Sequence, residues 1–164
     1  MLTNTKQALQ IFAKNVVKFS RSNLTRQKKN VSKELYDSIQ YDLNVSKNSF
    51  SLSFSMEDYG VFQDKGVSGK EKKYNTEFGF KSKMPPREPI LKWIKARNLN
   101  LRDEQGRFKK GGQKTLAYLI QRSIYNKGIK PSLFFTKPFE AAFKRLPADL
   151  VETFALDIEN QFTK

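Results

Sequence analysis

The chain has 164 residues, 38% of them apolar, and 31 Lys/Arg against 16 Asp/Glu for a net charge of +15. That length and apolar fraction supply one modest core, so a single domain is expected over residues 1–164. With neither cysteine nor histidine, disulfides, thiol nucleophiles, zinc sites of the usual kind and every His-based triad or general base are excluded.

Residues 3 to about 20 read as an amphipathic helix, because Leu9, Phe12, Val16 and Phe19 recur at spacings of three and four, with Thr3 or Thr5 as cap. The same stretch carries polar residues through its apolar positions, which fits neither a signal peptide nor a membrane span; a cytosol-like place of synthesis is expected. "RSNLTRQKKN" follows, where the helix either frays or continues as a solvated arm. Ser32 is placed to cap a short helix, "KELYDSIQY", with Leu35 and Ile39 on one face. From Asn44 the period drops to two: Phe50, Leu52, Phe54 and Met56 alternate with serines, giving a strand with one buried and one wet face. "LNVS" is its expected hairpin partner across Lys47 and Asn48.

The next stretch, "YGVFQDKGVSGKEKKY", reads as an exposed loop, and "NTEFGFKSKMPP" as a short extended piece. Pro89 suits the first turn of a helix through "ILKWIKARN", with Ile90, Trp93 and Ile94 inward and Lys92, Lys95 and Arg97 outward. "LNLRDEQGRFKKGG" reads as an exposed loop or small hairpin about Gly106. A helix from about Gln113 to Lys127 then places Leu116, Leu119, Ile120 and Ile124 on one stripe and stops at Gly128. "SLFFTK" is another strand or a buried connection. Two helices begin at Pro138 and Pro147, the first lined by Phe139, Ala142, Phe143 and Leu146, the second by Leu150 or Val151, Phe154, Ile158 and Phe162. The expected class is α+β, a small antiparallel sheet packed with an N-terminal helix and several C-terminal helices.

Catalytic motifs fail on spacing. "GVSGK" at 66–70 has two residues between its glycines where a phosphate-binding loop needs four, and Glu71 follows the lysine where Ser or Thr would hold magnesium. "EKK" at 71–73, with Asp58 or Asp64, resembles half of a metal-dependent nuclease motif. Yet 16 acids and 23 lysines in 164 residues yield about two acid-x-Lys triplets by chance. The pairs Glu57–Asp58 and Asp103–Glu104 are sequence neighbours, poor geometry for acid–base work. No enzyme activity, cofactor or metal is expected.

The charge is concentrated: residues 60–130 hold eighteen Lys/Arg against six Asp/Glu, an insertion-like basic middle at about 70–130. Such a segment implies an anionic neighbour. The candidate partner or DNA contacts are Lys65, Lys70, Lys72, Lys73, Lys81, Lys83, Arg87, Arg107, Lys109 and Lys110, interleaved with Tyr74, Phe78, Phe80 and Phe108. Lysines outnumber arginines 23 to 8, which favours point-charge contacts with a phosphate backbone over bidentate base readout.

The order of pieces carries one further indication. "VSKELYDSIQYDL", the alternating strand, "MEDYGVFQDKGVSG", and later "MPPREPILKWI" and "KPFEAAF" resemble the neck, or tail-completion (head–tail joining), proteins of tailed bacteriophages over roughly residues 30–160. The long middle from about Lys70 to Lys130 departs from that pattern. The resemblance implies a non-catalytic structural protein of the virion, made in the host cytoplasm and forming a homo-oligomeric ring. It would sit at the portal–neck–tail junction, with portal, connector or tail proteins and the packaged DNA backbone as partners and no membrane. A nonspecific DNA-binding protein is the alternative reading, and a metal-dependent nuclease a third.

Overall fold

The computed structural model describes residues 2–29, 31–46, 49–109 and 111–162, with the side chains of 161 and 162 excepted. Among them are seven helices and one two-stranded antiparallel sheet, the expected α+β class. No helix among the described residues is long and apolar enough to cross a membrane. One domain is the expectation from length; the chain forms two compact units, Met1–Glu57 with Leu133–Lys164 and Asp58–Ser132.

In the first unit, helix α1 (Thr3–Arg26) buries Leu9, Phe12, Ala13, Val16, Ser20 and Leu24, a stripe of period 3.6. Of the two readings of "RSNLTRQKKN", continuation is the one found, though not as a fully solvated arm: the helix runs on through Arg26, and Leu24 in its last turn is fully buried. Phe19 is 54% exposed, on a flank of α1 rather than its buried stripe. Neither Thr3 nor Thr5 caps this helix with its own side chain. The acceptor comes from the far end of the sequence, Asp157, which takes the amide hydrogens of Asn4 and Thr5 at 3.0 and 2.9 Å and the Thr5 hydroxyl at 2.8 Å.

Helix α2 (Glu34–Ser38) is shorter than "KELYDSIQY", and Ser32 does not cap it. The Ser38 hydroxyl donates to the Leu35 carbonyl, which is how serine competes with helical bonding, and the chain is extended from Gln40. Leu35 and Ile39 are both buried, beside Leu24 and Phe134. Strands β1 (Gln40–Val45) and β2 (Phe50–Ser55) pair in the register Leu43↔Leu52 and Tyr41↔Phe54. The turn residues Lys47 and Asn48 lie outside the described residues. As the alternation predicts, Phe50, Leu52 and Phe54 pack on the core of Leu9, Phe12, Val16 and Leu146 while the serines face out. "SLFFTK" is a buried connection: Phe134 is fully buried and its carbonyl accepts from Asn23.

Helices α6 (Thr136–Phe143) and α7 (Leu146–Phe162) have Pro138 and Pro147 in their first turns. Phe139 and Ala142 face the core, whereas Phe143 is 51% exposed and stacks on Phe139. The face expected of α7 is also corrected. Leu146, Leu150 and Asp157 turn inward, and Val151, Phe154 and Ile158 turn out. Asp157 decides this rotation, because its carboxylate satisfies amides of α1 that otherwise lack partners. The Phe162 side chain lies outside the described residues.

In the second unit, helix α3 (Tyr59–Lys65) stands where a loop is expected. Phe62 packs edge-on against Phe78, and Gly66, at φ +77°, ends the helix. Helices α4 (Arg87–Ala96) and α5 (Gly112–Lys127) pack through Ile90, Ile94 and Ala117, with Leu91, Leu99, Leu116, Ile120 and Ile124 around them. Trp93 and Leu119 are 42% and 47% exposed, against expectation. Trp93 sits about 100° around α4 from Ile94, beyond the stripe that meets α5. The segment about Gly106 is the expected small hairpin: Arg102 bridges Phe108, and the Asp103 carboxylate accepts the amides of Gln105 and Arg107.

Candidate polyanion interface

The segment "GVSG" at 66–69 is buried rather than an exposed turn. Val67 pairs with Ile129 through two backbone bonds of 2.9 and 2.8 Å, and Ser68 bonds Phe78 and Phe80 on its other side. Glycine is required at 69 and 128 by close approach of two backbones. A Cβ on Gly69 would overlap the Asn126 carbonyl oxygen, and one on Gly128 the Val67 carbonyl oxygen.

That approach places the next three residues over the end of α5. The amides of Lys70, Glu71 and Lys72 donate to the carbonyls of Tyr125 and Asn126 at 3.0, 2.9 and 3.3 Å, satisfying acceptors that a helix C-terminus leaves open. Lys70, Lys72 and Lys73 therefore cluster at the negative end of the α5 dipole, which favours cations. Their side chains are engaged locally: Lys70 Nζ lies 5.9 Å from the Tyr125 ring centre, Lys72 Nζ 5.7 Å from that of Tyr74, and Lys73 Nζ donates to the Gly69 carbonyl at 2.8 Å.

The remaining candidates fall into three groups. Lys65 and Arg107 are in ion pairs, with Glu77 at 3.0 Å and Asp103 at 3.1 Å, so their charge is locally offset. Arg87 lies over the Tyr118 ring at 5.8 Å and donates to Gln121. Lys81, Lys83 and Lys109 are exposed, and the Lys81 carbonyl accepts from the Tyr125 hydroxyl at 3.1 Å. Lys110 lies outside the described residues.

Helix α5 brings Arg87 and Lys70 to rings on one of its faces. Lys114, Tyr118, Gln121, Arg122 and Tyr125 fall within about 100° of arc on that helix. Lys114, Tyr118 and Arg122 are exposed. Arg87 and Lys70 add a guanidinium and an ammonium over its two tyrosine rings. Sequence reasoning missed Lys114, Tyr118, Arg122 and Tyr125, although their spacing of four, four and three was the available signal. Residues 58–132 as a whole hold eighteen Lys/Arg against seven Asp/Glu, a surplus of eleven, of which Lys70, Arg87, Lys114 and Arg122 belong to this group. Asp64 is buried on α3 and Glu71 is exposed beyond it. No group of three or more acids among the described residues could hold a metal ion. Set against family models, curated proteins and solved structures, the chain matches none.

Proposed function

We propose that the chain is a structural virion protein of the head–tail junction of a tailed bacteriophage, assembling as a ring that joins or completes the tail. In this reading residues 58–132 meet the packaged DNA backbone or acidic portal and tail neighbours. The observation that carries it is a concentration of charge beside exposed apolar side chains. A surplus of eleven cations belongs to one compact unit, and exposed apolar side chains occur on both, among them Phe108 at 65% on that unit and Val151 at 72% on the other. A subunit with both surfaces can assemble with its own kind and still face an anion. The test is the mass of the purified protein in solution together with its copy number in virions. A multimeric mass and a fixed copy number are expected; a strictly monomeric protein absent from particles overturns the proposal. The α5 face favours a second reading, nonspecific DNA binding by the free protein. Affinity would then fall steeply with salt, and failure to retard DNA at low salt removes that reading.

A further inference from the structure

Two exposed aromatic rings within residues 58–132 each carry a guanidinium laid over one face. Phe108 is 65% exposed, and Arg102, its partner across the small hairpin, lies over the ring at 4.4 Å. Arg102 also donates to the Gly106 carbonyl at 2.9 Å, so the hairpin itself fixes the pair. Tyr118 is 41% exposed on α5, beneath Arg87 at 5.8 Å. That guanidinium is steered by a relay: Gln121 donates to the Pro85 carbonyl at 2.6 Å, and its carboxamide oxygen accepts from Arg87 Nε at 3.3 Å. Since a guanidinium covers one face of each ring, the remaining exposure lies on the other face and the edges. Lys114 and Arg122 stand four residues to either side of Tyr118, about 6 Å along the helix axis each way. Neither is in an ion pair among the described residues.

We infer that this part of the chain binds single-stranded nucleic acid, with one base stacked on the open face of Tyr118, another on Phe108, and phosphates on Lys114 and Arg122. The form of the strand follows from what a ring can reach. In a duplex the base faces are already stacked on one another, so a ring on a helix surface meets only sugar and phosphate. An unpaired strand offers a π-face at every nucleotide. The order cation, ring, cation along one stripe of α5 matches a chain that alternates phosphates with accessible bases. The guanidinium behind each ring holds it in place before a base arrives, which lowers the ordering cost of binding. The hairpin adjoins the stripe, because the amide of Gly112 in the first turn of α5 donates to the Lys109 carbonyl at 3.2 Å. Tyr118 lies about 9 Å further along the axis. A flexible strand can turn from one ring to the other over that distance, whereas a duplex is far too stiff to do so. The inference rests on the DNA-binding reading of the α5 face and names the form of nucleic acid that the face takes.

The probes are a labelled oligo(dT), an oligo(U) of the same length, and the oligo(dT) annealed to oligo(dA), each titrated with the full chain at low salt. Binding of at least one single strand about tenfold tighter than the duplex is expected. Tyr118→Ala and Phe108→Ala, both at exposed positions, should melt close to the parent. Each should weaken single-strand binding about fivefold or more, and duplex binding less, with the slope of log affinity against log salt unchanged because no charge is lost. A duplex bound as tightly as either single strand overturns the inference and leaves DNA binding by the α5 face standing. So does parental affinity for oligo(dT) in both alanine variants. The comparison of probes on the parent stands even where a variant fails to fold. Retention of none of the three probes at low salt overturns both readings.

Discussion

Asp157 joins the two ends of the sequence. The residue is 3% exposed. Burial alone would raise its pKa, but the amides of Thr5 and Asn4, the Thr5 hydroxyl and the Thr3 amide outweigh burial and hold the carboxyl below its ordinary value. A group whose pKa is depressed by folding stabilises the native state above its unfolded pKa and loses that contribution as pH falls through the folded value. Asp157→Asn is therefore expected to cost about 1–2 kcal/mol near neutral pH, comparable with losing a charged helix cap. In urea titrations the gap between parent and variant should be intact at pH 5 and narrow below about pH 4. A gap unchanged down to pH 2 would show that the charge does not matter. None of this was legible in the sequence. The bond spans 152 residues, and the apolar spacing of Leu150 or Val151 with Phe154 and Ile158 pointed to a face turned about 90° from the one that Asp157 turns inward.

Among the elements, legibility followed periodicity. Strand β2 was readable because its six residues alternate without interruption, and α5 because Gly128 stops it. Helix α3 was hidden, since the glycines at 60, 66 and 69 and the following lysines dominate the composition, whereas the helix packs Phe62 edge-on against the distant Phe78. The basic candidates illustrate a second limit: sequence locates charge but not its occupation. Lys70, Lys72 and Lys73 serve the C-terminus of α5, so replacing all three by Glu puts repulsion there and tests stability as much as binding. Lys114→Glu with Arg122→Glu is the sharper experiment. Both side chains are exposed, so the melting temperature should hold while retention on DNA weakens and the slope of log affinity against log salt shrinks by about two. An unchanged slope would remove α5 from the interface.

At the level of the whole molecule, the basic middle read at about 70–130 falls inside a compact unit that runs from Asp58 to Ser132. The early start was not visible because α3 was read as a loop. The unit has its own apolar core of Ile90, Ile94 and Ala117 and its own backbone pairing. A fragment of residues 58–132 should accordingly unfold in one cooperative transition and keep the salt-sensitive retention of the full chain. A fragment lacking a cooperative melt would show that the unit depends on the rest of the protein.

The pairing at the base of that unit also decides how it takes a load. Val67 and Ile129 exchange two backbone bonds, and the Ser132 amide donates to the Asp64 carbonyl at 3.0 Å, so the entering and leaving segments are clasped within about ten residues of its ends. Tension drawn along the chain from residue 58 to residue 132 passes across this clasp. It bypasses α4 and α5 until the clasp opens, so the helices are shielded from forces that pull on the rest of the chain.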